Sequence, residues 1–210
     1  MATQKIYEAV LNFEKEKVNE LVNAELESGT GVLSILNAGL ISALDEVGRR
    51  FTDGVLFVPE MILAANVVTS ALEILRPALV EEDVQPKGTI VIGTVQGDLH
   101  DIGKNLVSMM LEGAGFEVID LGVDVTPQMF VQAVKERQPD ILAMSALLTT
   151  TMPMMKETID AMVESKLRDQ IKILVGGAPV TQKVADDIQA DGFAKDAPNS
   201  VIQARALLNL

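Results

Sequence analysis

The chain has 210 residues, more than one small domain usually needs and short for two large ones. Apolar residues make up 48% of it and aromatics 3%, with no Trp, so Ala, Val, Leu, Ile and Met must fill the core. A formal net charge of −13 argues against nucleic acid or an anionic membrane as the main partner, and the lack of cysteine excludes disulfides, thiolate zinc sites and cysteine-held iron–sulfur clusters.

The N-terminus, MATQKIYEAVLNFEKEK, is too charged for a signal peptide, and no long uncharged apolar run is expected to span a bilayer. A cytoplasmic location is expected. Ile6, Val10, Phe13, Val18, Leu21 and Val22 recur at helical spacing, which predicts one helix over residues 4–27. SGTG, residues 28–31, breaks it. VLSILNAGLISALDEVGRR predicts a second helix, and Asp53-Gly54 a turn. Pro59 falls where a third helix can start, with Glu60 in its first turn. That helix is apolar on several faces, as a buried bundle helix is.

EEDVQPKG, residues 81–88, reads as a linker and hinge. It separates a helical domain, 1–84, from a second domain, 85–210. Runs of Val, Ile and Leu at 89–95, 117–122, 140–146 and 171–177 then alternate with helical segments. Such runs suit strands buried on both faces, and the alternation predicts right-handed βαβ units. A short fifth strand near 192–195 and a helix at 198–209 complete the expectation. The fold class is α/β: an N-terminal helical bundle, then a five-stranded parallel doubly wound domain of flavodoxin-like, Rossmann type.

Open parallel sheets bind ligands beyond the C-terminal ends of their strands. Standing there in the sequence are QGDLHDIG, DLGVDVTP, SALLTTTM and GGAPV. Gly, Ser, Thr and the only histidine gather on one rim, which suits a polar, phosphate-bearing tail. Asp98 lies two residues before His100, so its carboxylate can accept the Nδ1 proton in a tight loop. Nε2 is then left as a base or a metal ligand. A hydrolytic triad with Ser145 as nucleophile competes, but no G-x-S-x-G elbow supports it. One histidine among scattered carboxylates is a poor zinc set.

These residues carry a resemblance. Asp98-Leu99-His100-Asp101-Ile102-Gly103 resembles the D-x-H-x-x-G motif of cobalamin-binding domains. SALLT, residues 145–149, resembles their S-x-L element, and Gly176-Gly177 their third. GRRFTDGVLFVPEMILAA is similar to the helical cap of methionine synthase and of the small corrinoid proteins of methylamine, methanol and methoxyl metabolism. Two domains with nothing appended resemble the stand-alone corrinoid proteins.

The resemblance implies a cobalamin or related corrinoid bound base-off, with His100 as the lower cobalt ligand through Nε2. It implies that Asp98 bonds to His100 and that Ser145 extends this relay. Gly97, Asp98, Leu99, His100, Asp101 and Ile102 lie along the corrin and its displaced tail. Ser145, Leu147 and Thr149 line the tail slot, and Gly103, Gly122, Gly176 and Gly177 give room. Phe51 and Val58, with Phe57 beside them, shield the upper face; ordinary packing between helices is the competing reading. Met144, Met152, Met154 and Met155 read as core, Asp101 as a helix cap, and Lys104 and Asn105 as first-turn residues.

The implied function is carriage of a methyl group on cobalt, cycling between Co(I) and methyl-Co(III), with no catalysis by the chain alone. The implied partners are a substrate-specific methyltransferase, a second methyltransferase acting on a thiol or tetrahydrofolate, and a reductive activation protein. Neither nucleic acid nor a membrane is expected as a partner. A cobalamin-dependent sensor is the alternative, and a radical mutase subunit a third. Donor and acceptor stay open.

Overall fold

The computed structural model describes residues 2–210, which divide into two compact units. One runs to Pro86 and includes Glu112–Gly115; the other comprises Lys87–Leu111 and Phe116–Leu210.

The first unit is helical: α1 (Ala2–Leu11), α2 (Lys15–Glu27), α3 (Val32–Ser34), a π-helical stretch (Ile35–Ile41), α4 (Ser42–Thr52) and α5 (Val58–Glu81). The helix expected over 4–27 is two. Phe13 takes a φ of +60°, and the N–H groups of Phe13 and Glu14 close α1 on the carbonyls of Val10 and Ala9. The turn lets both apolar stripes reach one interior: Ile6, Val10, Val18 and Val22 are all fully buried. The second expected helix is continuous in outline but widens into the π-helical stretch, where Gly39 sits against Ile6. A Cβ there would lie 3.1 Å from Ile6 Cγ2.

Helix α5 starts where Pro59 predicts, and the Glu60 carboxylate accepts the Phe57 N–H at 2.8 Å. It also corrects an expectation. Val58–Glu81 is long and apolar enough, by length and composition, to cross a bilayer. In this fold its apolar residues serve the interior of the helical unit: Met61, Ala64, Ala65, Val67, Val68, Ala71 and Leu75 are buried.

The second unit is a parallel sheet of β1 (Thr89–Thr94), β2 (Glu117–Asp120), β3 (Ile141–Ser145), β4 (Lys172–Gly176) and β5 (Gly192–Ala194), in the order β2-β1-β3-β4-β5. The connecting helices are α6 (Ile102–Gly113), α7 (Pro127–Arg137), α8 (Pro153–Glu164) and α9 (Gln182–Asp187), and α10 (Ala197–Leu207) closes the chain. Strands β1 and β3 are buried along nearly their whole length, as their unbroken apolar runs require. Val91, Phe130, Leu142, Met155, Met162 and Val175 pack in its core; each such side chain contributes roughly 1.5–3 kcal/mol. Met144 is also core, and Met152 and Met154 pack partly buried against it.

From β1 the chain goes to β2 on one side, then crosses to β3 on the other. That reversal opens a crevice beyond the C-terminal ends of β1 and β3, where a doubly wound sheet takes its ligand. Register lines up Thr94, Ser145 and Gly176 across that rim.

Candidate functional site

Strand β1 ends at Thr94 and the chain turns at once. Val95 N–H donates to the Ser145 carbonyl at 3.0 Å and Asp98 N–H to the Val95 carbonyl at 3.1 Å, with Gly97 at φ +81° between them. The turn drives Asp98 inward, fully buried, and leaves the His100 side chain 52% exposed.

Every contact of the Asp98 carboxylate comes from a donor. Oδ1 accepts the His100 backbone N–H at 3.1 Å and faces His100 Nδ1 at 2.7 Å. Oδ2 accepts the N–H groups of Leu147 and Leu148, at 2.7 and 3.2 Å, and the Thr151 hydroxyl at 2.8 Å. Burial alone would raise the pKa of Asp98. The hydrogen bonds from His100, Leu147 and Thr151 outweigh it and hold the carboxyl well below the usual carboxylate range. An ionised oxygen 2.7 Å from Nδ1 fixes the proton there, so Nε2 carries the lone pair on the exposed side of the ring.

The sequence expectation that Ser145 extends this pair is corrected here. The hydroxyl on Asp98 is that of Thr151, six residues on. Ser145 is half-buried at the end of β3, and its carbonyl receives Val95 N–H. The turn after β3 folds back over Asp98, so Thr151 is buried while Thr149 and Thr150 stay exposed. The run of threonines signals hydroxyls on this rim but not which one faces inward.

The loop after β2 braces the other side. Asp124, at φ +54°, accepts Gly97 N–H at 2.7 Å through its carboxylate and donates its own N–H to the Asp98 carbonyl at 3.1 Å. Gly122, at φ +83°, receives Thr94 N–H on its carbonyl. Thr94, fully buried, donates its hydroxyl to the His100 carbonyl at 3.0 Å. Lys104, read from sequence as a first-turn residue, is buried and ion-paired with Asp120.

The remaining expected residues sit as follows. Leu99 and Ile102 are 71% and 76% exposed beside His100, and Leu147 is exposed across the crevice from them. Asp101 and Gly103 are exposed at the start of α6, and the Asp101 carboxylate accepts the Asn105 side-chain amide. Gly176 ends β4 and Gly177 follows it, at the same rim. A Cβ on Gly177, whose φ is +127°, would fall 1.9 Å from the Ala146 carbonyl oxygen, so only glycine allows this approach of the two loops. Phe51 and Val58 belong to the helical unit, Phe51 half-buried and Val58 exposed along with Val55 and Phe57.

Among the described residues no group of three His, Cys, Asp or Glu side chains can hold a metal ion. The site offers one imidazole, exposed apolar side chains and glycines along the rim. That lining does not suit a metal held by side chains alone and fits a metal that brings its own ligands in a macrocycle.

Comparison with known proteins agrees. The family model described as B12 binding domain matches residues 88–201, and a second of the same description matches residues 2–76. The chain belongs to the B12-binding corrinoid protein family. The trimethylamine corrinoid protein of Methanosarcina barkeri is 40% identical over 208 residues, 98% of this chain and 96% of the relative. A 1.5 Å crystal structure of a novel cobalamin-binding protein from Desulfitobacterium hafniense DCB-2 superposes with a TM-score of 0.84 at 32% identity, over 99% of this chain and 98% of that one. The methanol:cobalamin methyltransferase complex of Methanosarcina barkeri matches with a TM-score of 0.84 at 29% identity, over 99% of this chain and 80% of that one. This chain is thus a methyl-carrying corrinoid protein of a methyltransferase system.

Proposed function

We propose that this corrinoid protein holds its corrinoid base-off, with His100 Nε2 as the lower axial ligand of cobalt. The observation that carries the reading is the pairing of a buried, ionised Asp98 with Nδ1, which orients the only imidazole of the chain with Nε2 toward the crevice. When bound, the corrinoid would supply a cobalt that, as Co(I), is the nucleophile towards the donor's methyl carbon and, as methyl-Co(III), gives the methyl to a nucleophilic acceptor and returns to Co(I).

The chain's own residues do the rest. Asp98 fixes the orientation of the imidazole through the Nδ1 hydrogen bond, and Thr151 with the Leu147 and Leu148 N–H groups fixes Asp98. Leu99, Ile102 and Leu147 give apolar contact under the ring, and the slot beside Ser145, Thr149, Gly176 and Gly177 takes the displaced nucleotide tail. Val55, Phe57 and Val58 leave the helical unit with an exposed apolar surface suited to covering a methyl group.

The partners in this reading are a substrate-specific methyltransferase, a second methyltransferase acting on a thiol or tetrahydrofolate, and a reductive activation protein. The full-length likeness to a trimethylamine corrinoid protein, at 40% identity, favours a methylated amine as the donor. The test is reconstitution of the whole chain with a cobalamin, followed by methylation and mixing with methylamine methyltransferases. The expected result is a change of the cobalt absorption spectrum as methyl arrives and leaves, and loss of the histidine-ligated spectrum in His100→Ala. A His100→Ala protein with an unchanged spectrum would overturn the reading.

A further inference from the structure

Lys104 is an unfavourable residue for its position. It lies in the first turn of α6, where the helix dipole disfavours a cation, and its side chain is 1% exposed. A buried ammonium is costly unless it is paired and hydrogen-bonded, and Lys104 has one carboxylate and one amide oxygen as partners.

Its Nζ donates to the Asn105 side-chain oxygen at 2.7 Å and pairs with Asp120 Oδ2. The Asn105 amide donates to the Asp101 carboxylate at 3.2 Å. In the other direction, Asp120 Oδ1 accepts Gly122 N–H at 2.8 Å. The Gly122 carbonyl accepts Thr94 N–H at 3.0 Å, and the Thr94 hydroxyl donates to the His100 carbonyl at 3.0 Å. The path leaves Asp101 and returns to its neighbour His100. It is a ring of hydrogen bonds, closed through one peptide, with the ammonium of Lys104 at its turning point.

We infer that Lys104 and Asp120 are positioning residues for His100. Asp98 and Thr151 hold the imidazole by its Nδ1; the Lys104 ring holds the backbone of the same residue from the β2 side. Without Lys104, Asp120 and Asn105 lose their common partner, the Thr94 tether on the His100 carbonyl loses its brace from the β2 side, and Nε2 samples positions too far from a metal to ligate. A merely structural pair would behave otherwise. Asp120 is 37% exposed and can be solvated once Lys104 is gone, so loss of the pair need not unfold the unit.

This inference rests on His100 being the lower ligand. The test uses the full chain loaded with cobalamin and reduced to Co(II), where an axial nitrogen splits the electron paramagnetic resonance lines. In Lys104→Met, corrinoid binding and the far-ultraviolet spectrum should be kept, while the ratio of nitrogen-ligated to unligated cobalt falls ~10-fold, the lower end of what loss of a residue supporting a ligand costs. In the unloaded protein, amide exchange of the 99–105 segment should speed up. Asp120→Asn should show the same shift and decides the matter if Lys104→Met does not fold. The chain has no cysteine, so Lys104→Cys can be aminoethylated while unfolded and refolded. Restoring the ammonium in this way should restore the ratio. An unchanged ratio in the folded variants would overturn the inference alone. An unmodified protein with no histidine nitrogen on cobalt would overturn it together with the reading of His100.

Discussion

His100 Nδ1 and the Thr151 hydroxyl sit on opposite oxygens of one carboxylate, that of Asp98, at 2.7 and 2.8 Å. The carboxylate belongs to the loop after β1 and the hydroxyl to the turn after β3. Asp98 therefore joins the two strands between which the sheet reverses direction, and the imidazole it orients stands over that junction.

Thr151→Val should lower the stability of the unloaded protein by roughly 1.5–3 kcal/mol, the range for a hydrogen bond to a charged group. Ser145→Ala should change it by no more than ~0.5 kcal/mol, since the Asp98 contacts stay intact. Urea unfolding of the two variants measures the difference. A larger loss in Ser145→Ala than in Thr151→Val would contradict the assignment of Thr151.

Asp98 gives the protein an acid-sensitive share of its stability. Its folded pKa lies below the unfolded value of about 3.9, so the contribution is complete above that value and is lost as pH falls toward the folded one. Asp98→Asn should be less stable than the parent by about 3 kcal/mol at neutral pH. The gap should narrow as the pH is lowered from ~5 to ~2. Thermal midpoints across that range give the comparison; a gap independent of pH would count against an ionised, donor-saturated Asp98.

Two glycines of the rim should respond unequally to alanine. At Gly122 the φ is +83° with open space around the absent Cβ, so alanine should cost ~1–2 kcal/mol in backbone strain alone. At Gly177 the new methyl carbon would meet the Ala146 carbonyl at 1.9 Å. Gly177→Ala should therefore be far more damaging, with loss of soluble folded protein or displacement of the loop after β4. Expression level and unfolding midpoint separate the cases, and equal effects would show that the loops give way at no cost.

Much of this is legible in the sequence. The sheet and its strand limits follow from apolar runs of the right length between helical periods, and the rim follows from the rule for parallel sheets. His100 and Asp98 are two residues apart, a spacing that short loops close. What stayed hidden depends on long-range folding. Phe13 has no sequence mark of a left-handed residue, so nothing local signals the break between α1 and α2. Thr151 is one of three consecutive threonines in TTTM, and only the path of the turn selects it. Lys104 and Asp120 are 16 positions apart on different elements, with nothing in either local stretch to join them.

The most direct test of the central claim uses the fact that histidine occurs once. Growth on histidine carrying 15N in its ring, with a purification tag free of histidine, labels one side chain. The cobalamin-loaded protein is then reduced to Co(II) and its electron paramagnetic resonance spectrum recorded. If His100 is the lower ligand, the triplet splitting from 14N becomes the doublet of 15N. A triplet that survives labelling would mean that the corrinoid keeps its own base on the metal and that His100 does not ligate cobalt.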